Sequence, residues 1–341
     1  MPTPAPPASA ATSAPPRIDV ARLTVIRPPF LVAAIFALAL TVVFVELPGR
    51  PLILHTLQKL GHPGVFGMIA LGVLVLARQR WASPRAAWPD YLVAFLTAIA
   101  IGGLTEVGQL FAHRDPSLRD VGLDVRGAAC ALALAAAFDV RCRPERRTGR
   151  WRALYLTAAA LLGAVILTPL AWATAGYALR SQRFPTLFVP ATRLDLLFLT
   201  GTSGRLERMP VPVALAQSPG EMALRVPLAT RPYAGITLDE PQPDWSDYRT
   251  LRIEVSNPGR SDLELNVRVH DRAHNNSFDD RFNAATVIAA GRRQILEFPL
   301  EAVRRAPRSR PLDLAHVAGV GIFRGGPDGP REFWLHRIEL R

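Results

Sequence analysis

The sequence predicts two architectures in one chain, an α-helical integral membrane bundle of five spans followed by an all-β sandwich. Three observations carry that prediction. Five long apolar stretches fall within the first 180 residues. Arginines concentrate in alternate segments between those stretches. Beyond residue 205 the apolar residues change to a period of two.

Composition excludes several classes. The 341 residues hold 40 Lys plus Arg against 28 Asp plus Glu, a net charge of +12, yet 49% of them are hydrophobic. A positive mean hydropathy of +0.16 with so many cations requires that charged and apolar residues lie in different stretches. Residues 1–180 hold 18 cations against 9 acids, and residues 181–341 hold 22 against 19. The excess belongs to the apolar half, so the expected partner is the lipid bilayer and not nucleic acid. A chain this apolar is not disordered throughout. Cys130 and Cys142 are twelve positions apart, roughly 18 Å along a helix and too far for a bridge. With no CxxC pair or His/Cys cluster, no metal and no cofactor is assigned.

The elements follow in order. Six prolines among the first 16 positions predict a disordered tail over residues 1–27. It lacks an early charged region and a small-x-small site after the apolar run, so it reads as a tail before an uncleaved anchor. The membrane domain covers residues 28–180, with spans at about 28–46, 60–78, 91–111, 121–140 and 153–179. The fourth carries Asp124 and Arg126 near its start and is kept because residues 127–138 are apolar and the loop charges require a crossing there.

Orientation follows from those charges. The tail carries Arg17, Arg22 and Arg27, the second loop Arg78, Arg80 and Arg85, and the fourth loop Arg141, Arg143, Arg146, Arg147, Arg150 and Arg152. The first loop has only Arg50 and Lys59, and in the third Arg114 and Arg119 are offset by Asp115 and Asp120. The positive-inside rule then puts the N-terminus in the cytoplasm and residues 181–341 outside.

Ionisable residues in apolar segments are costly and mark a partner or a task. Glu106 and Gln109, three apart, share a helical face. Arg114, Asp120 and Asp124 follow toward the same end, while Lys59 and His62 open the second span from the other outer loop. This ordered set resembles the VanZ-like family of small bacterial membrane proteins. The resemblance covers about residues 30–140 and rests on Lys59-x-x-His62 with Phe66, Glu106-x-x-Gln109, then Arg114, Asp120, Asp124 and Gly127. Gln58 and Asp124 stand where the family pattern has Asp and Asn, which alters the charge of the site. Lys59 is the single lysine against 39 arginines.

Two roles are open for these groups. Glu106 pairs with Arg114 or Lys59 and the set locks helices together, or Lys59, His62, Glu106, Gln109, Arg114, Asp120 and Asp124 line an outward-facing pocket for the polar head of an amphiphile. An enzymatic variant would use Glu106 and His62 as acid and base on a lipid-linked saccharide. No nucleophile elbow, HExxH or phosphate loop accompanies them, so binding is the preferred reading and the enzyme stays open as the alternative.

Residues 181–204 read as a linker and residues 205–341 as the extracytoplasmic sandwich. Strands are expected at 222–228, 250–256, 263–269, 285–289, 294–298, 317–323 and 332–340. Asp244-Trp245-x-Asp247-Tyr248 before a strand, Asn257-Pro258 after it, the Asp271 to Phe282 segment and the final strand from Phe333 to Ile338 resemble galactose-binding-like jelly rolls found as carbohydrate-binding modules. That resemblance implies sugar contacts at Trp245, Tyr248, Asn275, Asn276 and Asp279, unless the two aromatics are core packing and Asp280 pairs internally with Arg281. The expected function is that of a cell-envelope protein binding an amphiphilic or glycan-bearing molecule at the outer leaflet. The VanZ resemblance adds a role in glycopeptide-antibiotic resistance. A plain membrane anchor for a glycan-binding module is a third reading.

Overall fold

The computed structural model describes residues 27–44, 51–80, 87–111, 117–142, 148–202, 204–230, 233–242, 244–326 and 329–341. The expected tail over 1–26, and Arg114 with Asp115, lie outside them. The chain forms two compact units, Met1–Gly49 with Leu54–Pro169 and Arg50–Ile53 with Leu170–Arg341.

The first unit is helical. Its elements are α1 (Pro28–Phe44), α2 (Leu52–Arg80), α3 (Trp88–Phe111), α4 (Leu118–Phe138) and the first part of α5 (Thr148–Arg183). Four of these, α2 to α5, are long and apolar enough to cross a membrane, and α1 is a shorter apolar helix of 17 residues. The second span was expected to open at residue 60. It opens at Leu52, because no residue between 52 and 60 breaks a helix, and Lys59 and His62 therefore lie two to three turns inside α2.

Small residues let these helices approach closely. Phe66, Ile69, Ala70, Val73 and Leu74 of α2 pack with Ala94 and Ala98 of α3 and Ala128 and Leu132 of α4. A Cβ on Gly127 would stand 2.2 Å from the Pro63 carbonyl oxygen, so α4 touches α2 backbone to backbone. Gly67 faces Ala131 and Gly127 one turn further on. The position that the VanZ-like pattern fills with glycine is thus a helix crossing point.

The bundle end formed by the C-terminal turns of α2 and α4 and the start of α3 is closed by charge pairing. Arg78 pairs with Asp139, Tyr91 donates to the same carboxylate at 3.2 Å, and Arg141 bonds Asp90 at 3.2 Å. The Arg78 guanidinium also lies over the Tyr91 ring.

The second unit is a sandwich of two antiparallel sheets. One sheet has the order β3 (Glu207–Pro210), β4 (Met222–Pro227), β11 (Glu332–Leu340), β6 (Thr250–Ser256), β9 (Arg293–Pro299), with β1 (Thr186–Phe188) also paired to β11. The other has the order β2 (Leu199–Gly201), β5 (Gly235–Asp239), β10 (Val317–Arg324), β7 (Leu263–Asp271), β8 (Phe282–Ile288). A short helix, α6 (Leu300–Arg305), follows β9. Leu251, Ile253 and Val255 on β6 and Leu263, Leu265, Val267 and Val269 on β7 meet between the sheets, as their alternation requires.

Two expectations change here. Residues 181–204 are not a linker, since β1 adds to one sheet and β2 to the other. Three-residue strands are too short to show alternation. The last turns of α5 also belong to this unit: Tyr177 packs edge-on against Phe198, Arg180 lies 4.0 Å over the Phe198 ring, and Tyr177 donates to Glu240 at 2.5 Å.

Candidate functional site

At the other end of the bundle, α2 and α4 begin and α3 finishes, so His62, Glu106 and Asp124 reach one another although 44 and 18 positions separate them. Their ligand-capable atoms all lie within 4.8 Å of one another. All three side chains are buried, with relative exposures of 7%, 6% and 2%. His62 Nδ1 and Asp124 Oδ1 are 3.1 Å apart, a hydrogen bond that orients the imidazole. Glu106 Oε2 accepts the Ser117 backbone N–H at 2.6 Å, just before α4 starts. Gly102, one turn before Glu106, leaves room for Asp124: a Cβ there would meet its Oδ2 at 3.1 Å.

Among the described residues, Glu106 Oε1, Asp124 Oδ2 and Gln109 Nε2 are buried without a hydrogen-bond partner. Buried polar atoms are nearly always paired, and leaving one unpaired costs about 1–3 kcal/mol. Two of these atoms belong to the His62, Glu106 and Asp124 group and the third to Gln109, one helical turn from Glu106 on α3.

The structure sorts the expected set. His62, Glu106 and Asp124 belong together, and Gln109 is buried one helical turn from Glu106 on α3. Asp120, half-buried, lies within electrostatic reach of His62 and Asp124. Lys59 is exposed and lies within electrostatic reach of His55, and it makes no ion pair with Glu106 among the described residues. Arg114 is outside the described residues. Sequence reasoning missed Gly102 and the Ser117 amide; the Gly102-Gly103 pair ahead of Glu106 was the available signal.

The sandwich candidates do not assemble. Trp245 is 0% exposed, donates its indole N–H to the Gln242 carbonyl and fills the core, so it cannot face a sugar. Its flanking acids, Asp244 and Asp247, made it look like a surface position. Tyr248 stacks edge-on with Phe184. The Asn275 side-chain oxygen accepts the Ser277 N–H and the Asn275 backbone N–H donates to Asp280, Asn276 takes a positive φ of 68°, and exposed Asp279 pairs with Arg308 at 3.3 Å. These describe a built loop. The pairing of Asp280 with Arg281 is also corrected: Arg310 bridges buried Asp271 and Asp280, while Arg281 bonds Asn283. Arg310 holds both carboxyls below the usual carboxylate range, in Asp271 by outweighing burial, which pushes the other way.

One sheet carries a cleft of about 580 Å³ that sequence reasoning did not find. Arg252 and Glu254 on β6, Arg293 and Ile295 on β9 and His336 on β11 line it, with Glu221 just before β4. Arg293 bonds Glu221 at 2.7 Å and Glu254 at 2.9 Å. The Arg293 hydrogen bonds hold the Glu221 carboxyl down to about 2. No Trp, Tyr or Phe is among the described lining residues, so the cleft offers no ring for a sugar to stack on.

No family model and no curated protein matches this chain. The residues that resemble the VanZ-like family therefore stand on their own. Solved structures do resemble part of the chain. An exo-beta-agarase aligns over 46% of this chain and 24% of its own at 13% identity, with a TM-score of 0.38, so the chain spans about a quarter of that protein. The family 11 carbohydrate-binding module from Clostridium thermocellum, solved with a beta-1,3-1,4-mixed-linked tetrasaccharide, aligns over 42% of this chain and 88% of its own at 17% identity, TM-score 0.32. The CBM22-1 xylan-binding domain from Paenibacillus barcinonensis Xyn10C aligns over 42% and 84% at 13% identity, TM-score 0.30. At these scores the likeness adds nothing to the two-sheet arrangement already described.

Proposed function

We propose that the chain is an integral membrane protein of a bacterial cell envelope that binds the polar head of an amphiphilic or glycan-bearing molecule in the cluster of His62, Glu106, Gln109 and Asp124. In this reading α1 is a fifth span, the N-terminus is cytoplasmic and the sandwich is extracytoplasmic. The cluster then opens toward the outer leaflet of the inner membrane. The arginine-rich segments support that orientation.

One observation carries the reading: the buried and unpartnered atoms of Glu106, Gln109 and Asp124. A cluster that only locked helices together would carry its own counter-charges, as the opposite end of the bundle does. The VanZ-like residues add a glycopeptide-resistance role to the proposal.

The test is complementation of a strain lacking the protein, scored as survival under envelope-acting antibiotics that include a glycopeptide. Glu106→Gln and Gln109→Ala are expected to fail while accumulating in the membrane at wild-type levels. Full complementation by both sinks the headgroup site. The enzymatic alternative draws support from the His62–Asp124 hydrogen bond, which orients an imidazole as an acid or base requires. It predicts turnover of a lipid-linked saccharide by purified protein and its loss in His62→Ala.

A further inference from the structure

We propose that His62, Glu106 and Asp124 form the binding site of a divalent first-row transition-metal ion, with three protein ligands drawn from three different helices.

The donor set comes first. One imidazole nitrogen and one oxygen from each of two carboxylates suit zinc, manganese or iron and not magnesium or calcium, which take oxygen ligands alone. The three candidate atoms lie within 4.8 Å of one another. Ligands about 2.0–2.2 Å from a tetrahedral ion stand about 3.4 Å apart, so the present spacing exceeds that of a bound shell by at most about 1.4 Å.

Charge is the second consideration. Two carboxyl groups, each more than nine-tenths buried, lie in an apolar bundle with no lysine or arginine in ion-pair range among the described residues. Elsewhere in this chain buried carboxylates sit against guanidinium groups: Asp139 against Arg78 and Asp271 against Arg310. A divalent cation neutralises two carboxylates at once and uses the free oxygens, Glu106 Oε1 and Asp124 Oδ2, that otherwise have no partner.

Support of the ligands is the third. Ser117 N–H holds one Glu106 oxygen, and the α2–α4 contact at Gly127 and Pro63 fixes the helices that carry His62 and Asp124. Such outer contacts orient metal ligands. Three protein ligands leave a coordination position open, and the proposal gives its occupant to Gln109, which is buried one turn from Glu106 on α3 with its amide nitrogen unpartnered. The inference thus deepens the headgroup reading by naming a phosphate or carboxylate, both of which ligate such ions, as the bound group. For that last step it rests on the headgroup reading.

The experiment uses the full chain in detergent, stripped with a chelator and offered Zn²⁺ alone. Metal retained after dialysis is measured by mass spectrometry, and Co²⁺ is substituted to read ligand-field bands. The wild type is expected to keep one ion per chain with a nitrogen/oxygen cobalt spectrum. Both signals are lost in Glu106→Gln and in His62→Ala, whereas Lys59→Ala and Cys142→Ser retain them. Wild-type protein that keeps no zinc overturns the site whether or not any variant folds. So does zinc retained equally by Glu106→Gln and His62→Ala. Wild type that fails to load yet still complements the strain leaves the headgroup reading standing. Loaded wild type with Gln109→Ala fully complementing separates a true metal site from a failed headgroup site.

Discussion

The two ends of the helical bundle bury carboxylates to nearly the same degree and treat them in opposite ways. Asp139 at one end is 4% exposed and Asp124 at the other 2%. Around Asp139 the chain supplies Arg78, Arg141 and the Tyr91 hydroxyl. Around Asp124 it supplies His62 and a second buried acid, Glu106. The first arrangement supplies its own counter-charges and ties α2, α3 and α4 together, although Arg78 Nε is itself buried without a hydrogen bond. The second leaves acceptors without donors, which a chain tolerates where something else completes the set. The difference is the one on which the proposed binding site rests, without reference to any relative.

Breaking the charge-paired end gives the largest effect. Arg78→Ala leaves Asp139 buried without its principal cation, and removal of one partner of a buried pair costs about 3–5 kcal/mol. The expected result is a sharply lowered thermal transition of the full chain in detergent and reduced accumulation in membranes. An unchanged transition would mean that Asp139 is stabilised without Arg78, and the contrast between the ends would lose its basis.

The sandwich supplies a third instance and sharpens the rule. Arg310 bonds Asp271 at 2.8 Å and Asp280 at 2.8 Å, and the Asp271 side chain is fully enclosed. Arg310 is partly exposed, so Arg310→Ala is expected to cost less, about 2 kcal/mol through Asp271. The pH dependence has a definite sign. Both carboxyls are depressed in the folded state, so their contribution is complete above the ordinary carboxylate range near pH 4 and is lost as pH falls through the folded values. Acid titration followed by circular dichroism should therefore destabilise wild type more steeply below about pH 4 than Arg310→Ala. Parallel curves would show that the arginine does not set those carboxyls.

Much of this was legible in the sequence, for identifiable reasons. Alternation at Leu251, Ile253 and Val255 and at Leu263 to Val269 placed β6 and β7 because one face of each is buried. Apolar length placed α2 to α5. Glu106 and Asp124 could be expected together because successive membrane helices reverse direction, so the end of α3 meets the start of α4. What escaped was set by three-dimensional contacts without a local signal. Trp245 sits among acids in sequence but in the core in space. Lys59, three positions from His62, ends on an exposed face of α2. The grouping of one histidine with two acids has no spacing rule when each comes from a different helix. The Arg293 cluster faces the outside of a sheet, where charged residues are ordinary and carry no sequence mark.

The smallest effect on stability is the most discriminating. Glu106→Gln keeps the shape of the side chain, preserves an acceptor for the Ser117 amide and removes one of two adjacent buried carboxyl groups. If the open end is kept for binding, its charge density is a burden on the metal-free fold. The metal-free variant should then melt at the same temperature as wild type or slightly above it, a gain of about 0.5–1 kcal/mol. Zinc should raise the transition of the wild type and leave that of the variant unmoved, because only a species that binds the folded state selectively shifts it. Arg78→Ala should respond in the reverse sense, unstable in both conditions and still raised by zinc. A Glu106→Gln protein as unstable as Arg78→Ala would instead place Glu106 in the helix-locking role, and both bundle ends would then be structural.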